Sequence, residues 1–449
     1  MAVSARPETP PTVSAGDSGL LVATTILVGL LAVSPAFIIL QRPALVILAF
    51  AAAIVVFVCA VRVDFALLLL VATAPLEGAI QFGSDSQLTI AKLAGALTFG
   101  SFFLFALATR RRLLFDRSHA LIVLILALAM LSTLQAEDVP QALSTTLRYA
   151  SFVGLYVVVS QFVGDHRLQR RIVWVLSLGG TLAGVLMIEN FIAERTFQAT
   201  LTWAQPNDTA FVLATTLPLT FWLLRERFAV RVGAVLMISV MSAAIVLSFS
   251  RGALVGLGAA ALVHVLTERR HALLIFVGAL AAVVATFTFV RANPGQVELG
   301  LQKKQSVAQS NVESRLDAWR GAAVLVEERP LLGVGPGNFR NHFYEATGNP
   351  PGTEKVVVVH NAYLDVAAEL GVLAMLLFLA YVGLILWRAN VAVQARAGPP
   401  GLAAAVRSAL IVAAVASLFL SEQYYAPLWL LGGLATAVWR EGHAPAQEP

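Results

Sequence analysis

His360 opens the run His360-Asn361-Ala362-Tyr363-Leu364-Asp365, directly ahead of an apolar stretch that reads as a helix. An imidazole at a helix N-terminus feels the positive end of the dipole, which favours its neutral form and lets it accept a proton. That is what a general base needs; a capping or core histidine fits the same position. Asp365, five residues on, falls about 140° around a helix and does not orient His360 directly. Asp365 and Glu369 do share a face, and carboxylates inside a membrane span require partners such as Arg251 or Arg148. Asn361 stands with this group as a supporting residue.

A second kind of chemistry belongs to cations at the outer ends of apolar runs. Lys92, Arg148 and Arg251 sit there against the usual charge bias of membrane proteins. An ionisable group inside a span costs roughly 2.5–3.5 kcal/mol on insertion scales, so it marks function or snorkels to the interface. Arg251 is the stronger case, because a helix over 232 to 270 would be about 58 Å long, too long for one crossing. The chain must turn near Ser248-Phe249-Ser250-Arg251-Gly252, slightly below the outer interface, where irregular backbone is tolerated beside a polar cavity. Asn207 with Asp208, at another outer boundary, lines the same cavity or caps a helix.

The long outer stretch 291 to 360 adds two features. Val312, Leu316, Trp319, Ala323 and Val326 recur at spacings of four and three, the stripe of a helix ended by Pro330. Such a helix lies in the interface or packs as a lid on the bundle. Arg315 and Arg320 flank the stripe and are placed to face a bound anion. Next comes Gly333-Val334-Gly335-Pro336-Gly337-Asn338-Phe339, where Gly335 and Gly337 permit tight turns and let backbone amides approach a ligand. It is not a phosphate-binding P-loop, since Gly-Lys-Ser/Thr and a preceding strand are missing. No metal is expected: the loop has no Asp-x-Asp, and no His/Cys cluster has ligand spacing.

The elements that must position these residues follow from composition. The 449 residues are 58% hydrophobic and 13% charged, well beyond a soluble domain, so lipid is the expected solvent. The net charge of +5 lies in short clusters between apolar runs, a topology signal rather than a nucleic-acid face. The expected fold is an all-α polytopic membrane protein with 12 to 14 transmembrane helices and one long periplasmic loop containing short helices. Its parts are a disordered cytoplasmic tail (1–18), an N-terminal transmembrane bundle (19–246), a signature region (247–388) including the loop 291–360, C-terminal transmembrane helices (389–440) and a cytoplasmic tail (441–449). The first 18 residues lack the pattern of a cleaved signal peptide. Cys59 has no disulfide partner. From the fourth span onward every second loop is basic (Arg110 to Arg112 with Arg117; Arg167, Arg170 and Arg171; Arg225, Arg227 and Arg231; Arg269 and Arg270; Arg388, Arg396 and Arg407), which puts these loops and both termini in the cytoplasm.

Taken in order, LSFSRGALVGL (247 to 257), RLDAW with PLLGVGPGNF (315 to 339) and HNAYLDVAAELGV (360 to 372) resemble the signature of the O-antigen ligase and polymerase family, over roughly 200 to 380. The resemblance implies a bacterial inner-membrane glycosyltransferase of cell-surface polysaccharide and lipopolysaccharide biosynthesis. It would move a glycan from undecaprenyl diphosphate to an acceptor hydroxyl on a saccharide, lipid or protein, with no cofactor. Arg251 and His360 match the family's essential arginine and histidine, while Lys92 and Arg148 occupy places where the family carries membrane-edge cations. Ligase and polymerase share fold and motifs, so both activities remain open. A transporter or flippase for lipid-linked sugars would also use intramembrane cations, but the SFSRG and HNAYLD segments have no second copy of the kind transporter repeats show. A noncatalytic scaffold would need no intramembrane ionisable set.

Overall fold

A computed structural model describes residues 43–76, 90–110, 113–194, 198–267, 288, 291–292, 294–348, 358–421, 423 and 425–443. Every long regular element among them is an α-helix. In chain order these are α1 (Pro43–Val61), α2 (Val63–Thr73), α3 (Ile90–Thr109), α4 (Arg117–Thr133), α5 (Val139–Phe162), α6 (His166–Ala193), α7 (Pro206–Trp222) and α8 (Phe228–Leu247). There follow α9 (Arg251–Thr267), α10 (Pro294–Glu328), α11 (Phe339–Thr347), α12 (Ala362–Leu370), α13 (Val372–Gln394), α14 (Leu402–Ala416) and α15 (Ala426–Glu441). The spans expected at 19 to 40 and, apart from one residue, at 272 to 290 lie outside the described residues, as does the N-terminal tail.

Helices α3, α5, α6, α8 and α13 are long and apolar enough to cross a membrane. Together α1 and α2 supply a sixth candidate, bent by 120° at Arg62. The guanidinium of Arg62 donates to Asp64 at 3.0 and 2.9 Å across that bend. The described residues thus hold five to six candidate spans, fewer than hydropathy alone counted. Two of the expected spans lie outside the described residues, and several apolar helices among the described ones are shorter than a full crossing. Helix α4 has 17 residues, α9 has 17 and α14 has 15, each short of the ~20 that a crossing takes. Every residue of α15 from Pro427 to Val438 is buried, the mark of a helix in the centre of a bundle.

Small residues and aromatic rings hold the bundle together. A Cβ on Gly256 would lie 2.8 Å from the Val412 carbonyl oxygen, and Gly252 faces Phe419 and Leu420, so α9 and α14 approach backbone to backbone as small-residue interfaces allow. Trp429 stacks on Tyr381 at 5.2 Å between centroids and on Phe152 at 6.3 Å, joining α15 to α13 and α5. Two arginines read as marking a cytoplasmic loop are instead buried inside helices: Arg388 in α13 and Arg407 in α14. A buried guanidinium must find acceptors. Arg388 takes Asp116 at 3.0 Å and Ser118 at 2.8 Å, and Arg407 takes Asn390 at 3.1 Å and Thr267 at 2.7 Å.

The outer stretch departs from the expected set of short helices, since α10 alone is 35 residues long. Its buried stripe is Ala318, Ala322 and Leu325 with Trp319 and Val326 beside it, packed on Phe339, Phe343, Val359 and Ala368. Leu316 and Ala323, expected in the stripe, are exposed. The helix is turned relative to the apolar pattern because its partners are α11 and α12, whose shape admits alanine rather than leucine. The run expected as one span from 361 to 387 is broken at Gly371, φ +89, where a Cβ would meet the Leu331 carbonyl oxygen at 2.3 Å. The loop 330–337 fills this break: Val372 N–H donates to Pro330 O at 2.8 Å and Val334 N–H to Ala368 O at 3.0 Å.

Candidate functional site

Arg251 is the first residue of α9 and is exposed. The turn that precedes it is built from short polar residues. Phe249 adopts φ +55, the buried Ser248 hydroxyl donates to Ile245 O at 2.6 Å, and Ser250 N–H donates back to Ser248 Oγ at 3.2 Å. Such side-chain bonds replace helix bonds where a chain reverses.

Arg315 lies on α10 on the same face as Ala318, Trp319 and Ala322, and is half-buried. Burial, then the neighbouring positive charge of Arg251, make its guanidinium less basic than usual. The His360 imidazole is held down at about 4, first by burial and then by the charge of Arg315. Arg315 therefore stands close enough for its charge to reach both Arg251 and His360. The direction is the one expected from a helix dipole, but desolvation and a cation produce it.

The backbone of His360 is constrained from both sides. Its φ of +56 is a left-handed conformation that costs a non-glycine residue about 1–3 kcal/mol and persists where surroundings over-determine it. Here Trp319 Nε1 donates to Val359 O at 3.0 Å, and His360 N–H donates to Ser421 Oγ at 3.1 Å. Asn361 is the N-cap of α12, its side-chain oxygen accepting from Tyr363 and Leu364 N–H at 3.1 Å each. Ala362 N–H donates to the carbonyls of Ser417 at 2.9 Å and Leu420 at 3.0 Å. Phe419 and Leu420 are also the residues against which Gly252 packs. The connection 417–425 between α14 and α15 thus links the Arg251 end of α9 to His360.

The two carboxylates of α12 are buried, Asp365 at 2% and Glu369 at 3% exposure. Asp365 was expected to pair with an arginine; it accepts instead from Gln423 Nε2 at 2.7 Å and from Ser421. Glu369 accepts from the backbone N–H of Gly337 at 2.8 Å and of Phe339 at 3.3 Å. The amides of the glycine motif, expected to face a ligand, are therefore turned onto the protein's own carboxylate. Gly335 N–H likewise donates to Glu369 O at 3.0 Å. The motif is a bracket that seats the outer loop on the broken helix.

The remaining predicted residues divide. The Arg148 guanidinium lies over the Tyr425 ring at 5.2 Å and the Phe152 ring at 6.0 Å, while the Tyr425 hydroxyl donates to Asp208. Arg148 and the start of α7 thus also reach the 417–425 connection, at Tyr425. Asn207, half-buried, is the second residue of α7, whose N-cap is Gln205. Arg320 is turned away: it is 73% exposed and bonds Asp317 at 3.0 Å. Lys92 is exposed on α3, which packs chiefly against α1 and α2. A cavity of about 130 Å³ lies elsewhere, between α7, α9 and α14, lined by Phe221, Trp222, Arg225, His264 and Ser408; it holds none of the predicted site residues. Among the described residues, no three His, Cys, Asp or Glu side chains gather closely enough to hold a metal ion.

Sequence reasoning missed Ser421, Gln423 and Tyr425. Their signal was a polar interruption, Ser421-Glu422-Gln423-Tyr424-Tyr425, between two apolar runs.

Residues 232–379 match the family model described as O-antigen ligase. The matched stretch runs from α8 into α13 and contains Arg251, Arg315, His360, Asp365 and Glu369; Lys92, Arg148 and the 417–425 connection lie outside it. No curated protein matches the chain.

Proposed function

We propose, from a signature region of the O-antigen ligase family, that this multi-pass membrane protein transfers glycan from undecaprenyl diphosphate to an acceptor hydroxyl. In this reading it sits in the bacterial inner membrane, crosses it twelve to fourteen times, keeps both termini in the cytoplasm and works on the periplasmic face. What supports the reading is that the charge of Arg315 reaches both Arg251 and His360, and that one connection bonds the His360 backbone through Ser421 and packs on Gly252, the residue after Arg251, through Phe419 and Leu420. A diphosphate suits the arginines, because guanidinium forks bind phosphate oxygens in pairs and stabilise the charge that grows on a leaving group. A neutral imidazole beside them suits an acceptor hydroxyl.

The acceptor oxygen attacks the anomeric carbon from the face opposite the diphosphate. The new glycosidic C–O bond forms as the bond to the diphosphate oxygen breaks, so the anomeric configuration inverts. The hydroxyl proton passes to His360, and undecaprenyl diphosphate leaves with the electron pair, held by Arg251 and Arg315, with Arg148 and Lys92 as further cations along the donor's path. The scheme uses no metal. Repeat-unit polymerisation is the same step with another repeat unit as acceptor.

Purified protein in detergent, supplied with an undecaprenyl-diphosphate-linked oligosaccharide and candidate acceptors, should release undecaprenyl diphosphate without a sealed vesicle; a carrier or scaffold would not. His360→Ala should lower release by about 10²–10⁴-fold, the usual contribution of a general base, and Arg251→Ala should raise KM for the donor. Wild-type transfer by both variants would overturn these roles.

A further inference from the structure

A catalytic histidine ordinarily has a side-chain partner that aims the ring; among the described residues His360 has none. Among the described residues no hydrogen bond reaches either imidazole nitrogen, and Asp365 is bonded by Gln423 and Ser421 instead. Its direction must therefore be set through its backbone, which is held in a conformation that histidine seldom adopts. The backbone N–H of His360 is bonded by one side chain, Ser421, from a connection outside the family match.

A serine hydroxyl has one proton to give and two lone pairs to offer. Asp365, buried, takes that proton, which leaves the lone pairs of Ser421 turned to the His360 amide. Gln423 holds the same carboxylate from its other side at 2.7 Å. The Gln423 amide is aimed by that bond, since its Oε1 finds no partner among the described residues. Its backbone carbonyl is tied in turn to the fully buried Trp429, whose Nε1 donates to it at 3.1 Å. An unbroken series of bonds thus runs from the aromatic core through Gln423, Asp365 and Ser421 to the backbone of His360.

We propose that Ser421, set by Asp365 and Gln423, is a positioning residue that fixes the direction of the His360 imidazole toward the acceptor hydroxyl. The proposal rests on the reading of His360 as the base. Without the Ser421 bond the residue relaxes toward ordinary backbone geometry, the Cα–Cβ direction swings, and the ring nitrogen leaves line with the proton it must take. Misplacement of a reacting group by about 1 Å costs on the order of 10²-fold in rate. Binding of the donor is untouched, because Ser421 acts on the base alone.

The test compares Ser421→Ala, Ser421→Thr, Asp365→Asn and His360→Ala in full-length protein, with an undecaprenyl-diphosphate-linked oligosaccharide as probe and undecaprenyl diphosphate release as readout. Ser421→Ala is expected to lower kcat by about tenfold to a hundredfold with KM for the donor within about twofold. Ser421→Thr keeps the hydroxyl and should restore most of the rate, and Asp365→Asn should behave like Ser421→Ala. A second measurement is independent of turnover: in ¹⁵N-histidine NMR the His360 signal, assigned by its loss in His360→Ala, should be single in wild type and Ser421→Thr and broadened or multiple in Ser421→Ala. A single unchanged signal in Ser421→Ala, or a rate equal to wild type while His360→Ala is inactive, overturns the positioning role and leaves the base intact. Loss of rate in Ser421→Ala that Thr does not restore also overturns it. Transfer at the wild-type rate by His360→Ala overturns the base reading instead.

Discussion

At the scale of the residue, the imidazole of His360 is under two pressures of the same sign. Burial withholds the water that an imidazolium needs, and Arg315 adds a like charge; together they hold the ring near 4. The sign follows directly: the neutral, proton-accepting form persists from neutral pH down to about 4 and is lost only below it. In the free protein kcat/KM for transfer should therefore fall on an acid limb near that value rather than near 6.5, the ordinary histidine value. Replacing Arg315 with Gln removes the second pressure and leaves the first, so the limb should move upward yet stay below the ordinary value. A bound diphosphate opposes the arginine charge and has the same direction of effect, which puts the limb of kcat above that of kcat/KM. A pH–rate profile of wild type and Arg315→Gln checks both, and an acid limb that ignores the substitution would remove Arg315 from the neighbourhood of the base. His360 and Arg251 were legible as chemistry because their types are out of place in lipid. That Arg315 faces the site while Arg320 faces solvent was not, because the choice depends on which face of α10 meets α11 and α12, and alanines decide it.

At the scale of the element, the position of Arg251 depends on how closely α9 can lie on α14. A methyl group at Gly256 would press on the Val412 carbonyl at 2.8 Å, whereas at Gly258, two residues on, it would meet nothing within 4 Å. The pair makes an internal control. Gly256→Ala should lower the melting temperature in detergent, overpacking of this kind costing about 1–3 kcal/mol, and should impair transfer by lifting the N-terminus of α9. Gly258→Ala should be neutral or stabilising by about 0.5–1 kcal/mol, the helix preference of alanine over glycine. Equal melting temperatures would mean that the two helices have room to spare. The turn before α9 could be read from length alone, since one helix over 232 to 270 does not fit a bilayer. The break at Gly371 could not: the run 370 to 387 that contains it is uncharged, and the bonds that stabilise the break come from a loop about 40 residues earlier in the chain. The same holds for the 417–425 connection, whose polar residues acquire meaning only once His360, Asp365 and Asp208 are brought to it.

At the scale of the whole molecule, composition made lipid legible as the solvent, while the described helices support five to six crossings by length and apolarity, because a bundle that buries α15 from Pro427 to Val438 also holds shorter apolar helices. What the charge pattern asserts about orientation is a separate matter and has a direct test. Arg170 is exposed near the start of α6 and bonds Glu226, on the side assigned to the cytoplasm by its neighbours Arg167 and Arg171. Arg320 is exposed on α10, on the side assigned to the periplasm. The chain is well suited to thiol mapping, since its one cysteine, Cys59, is 1% exposed and can be removed as Cys59→Ala. In that background, with the outer membrane opened and the inner membrane intact, a membrane-impermeant maleimide should label Arg320→Cys at once and Arg170→Cys only after the inner membrane is permeabilised. Bonds to exposed partners contribute little to stability, so neither substitution should perturb the fold. The reverse pattern would put Arg251, Arg315 and His360 on the cytoplasmic face, where a donor already flipped to the outer leaflet could not reach them, and the transfer reaction proposed for this site would have to be abandoned.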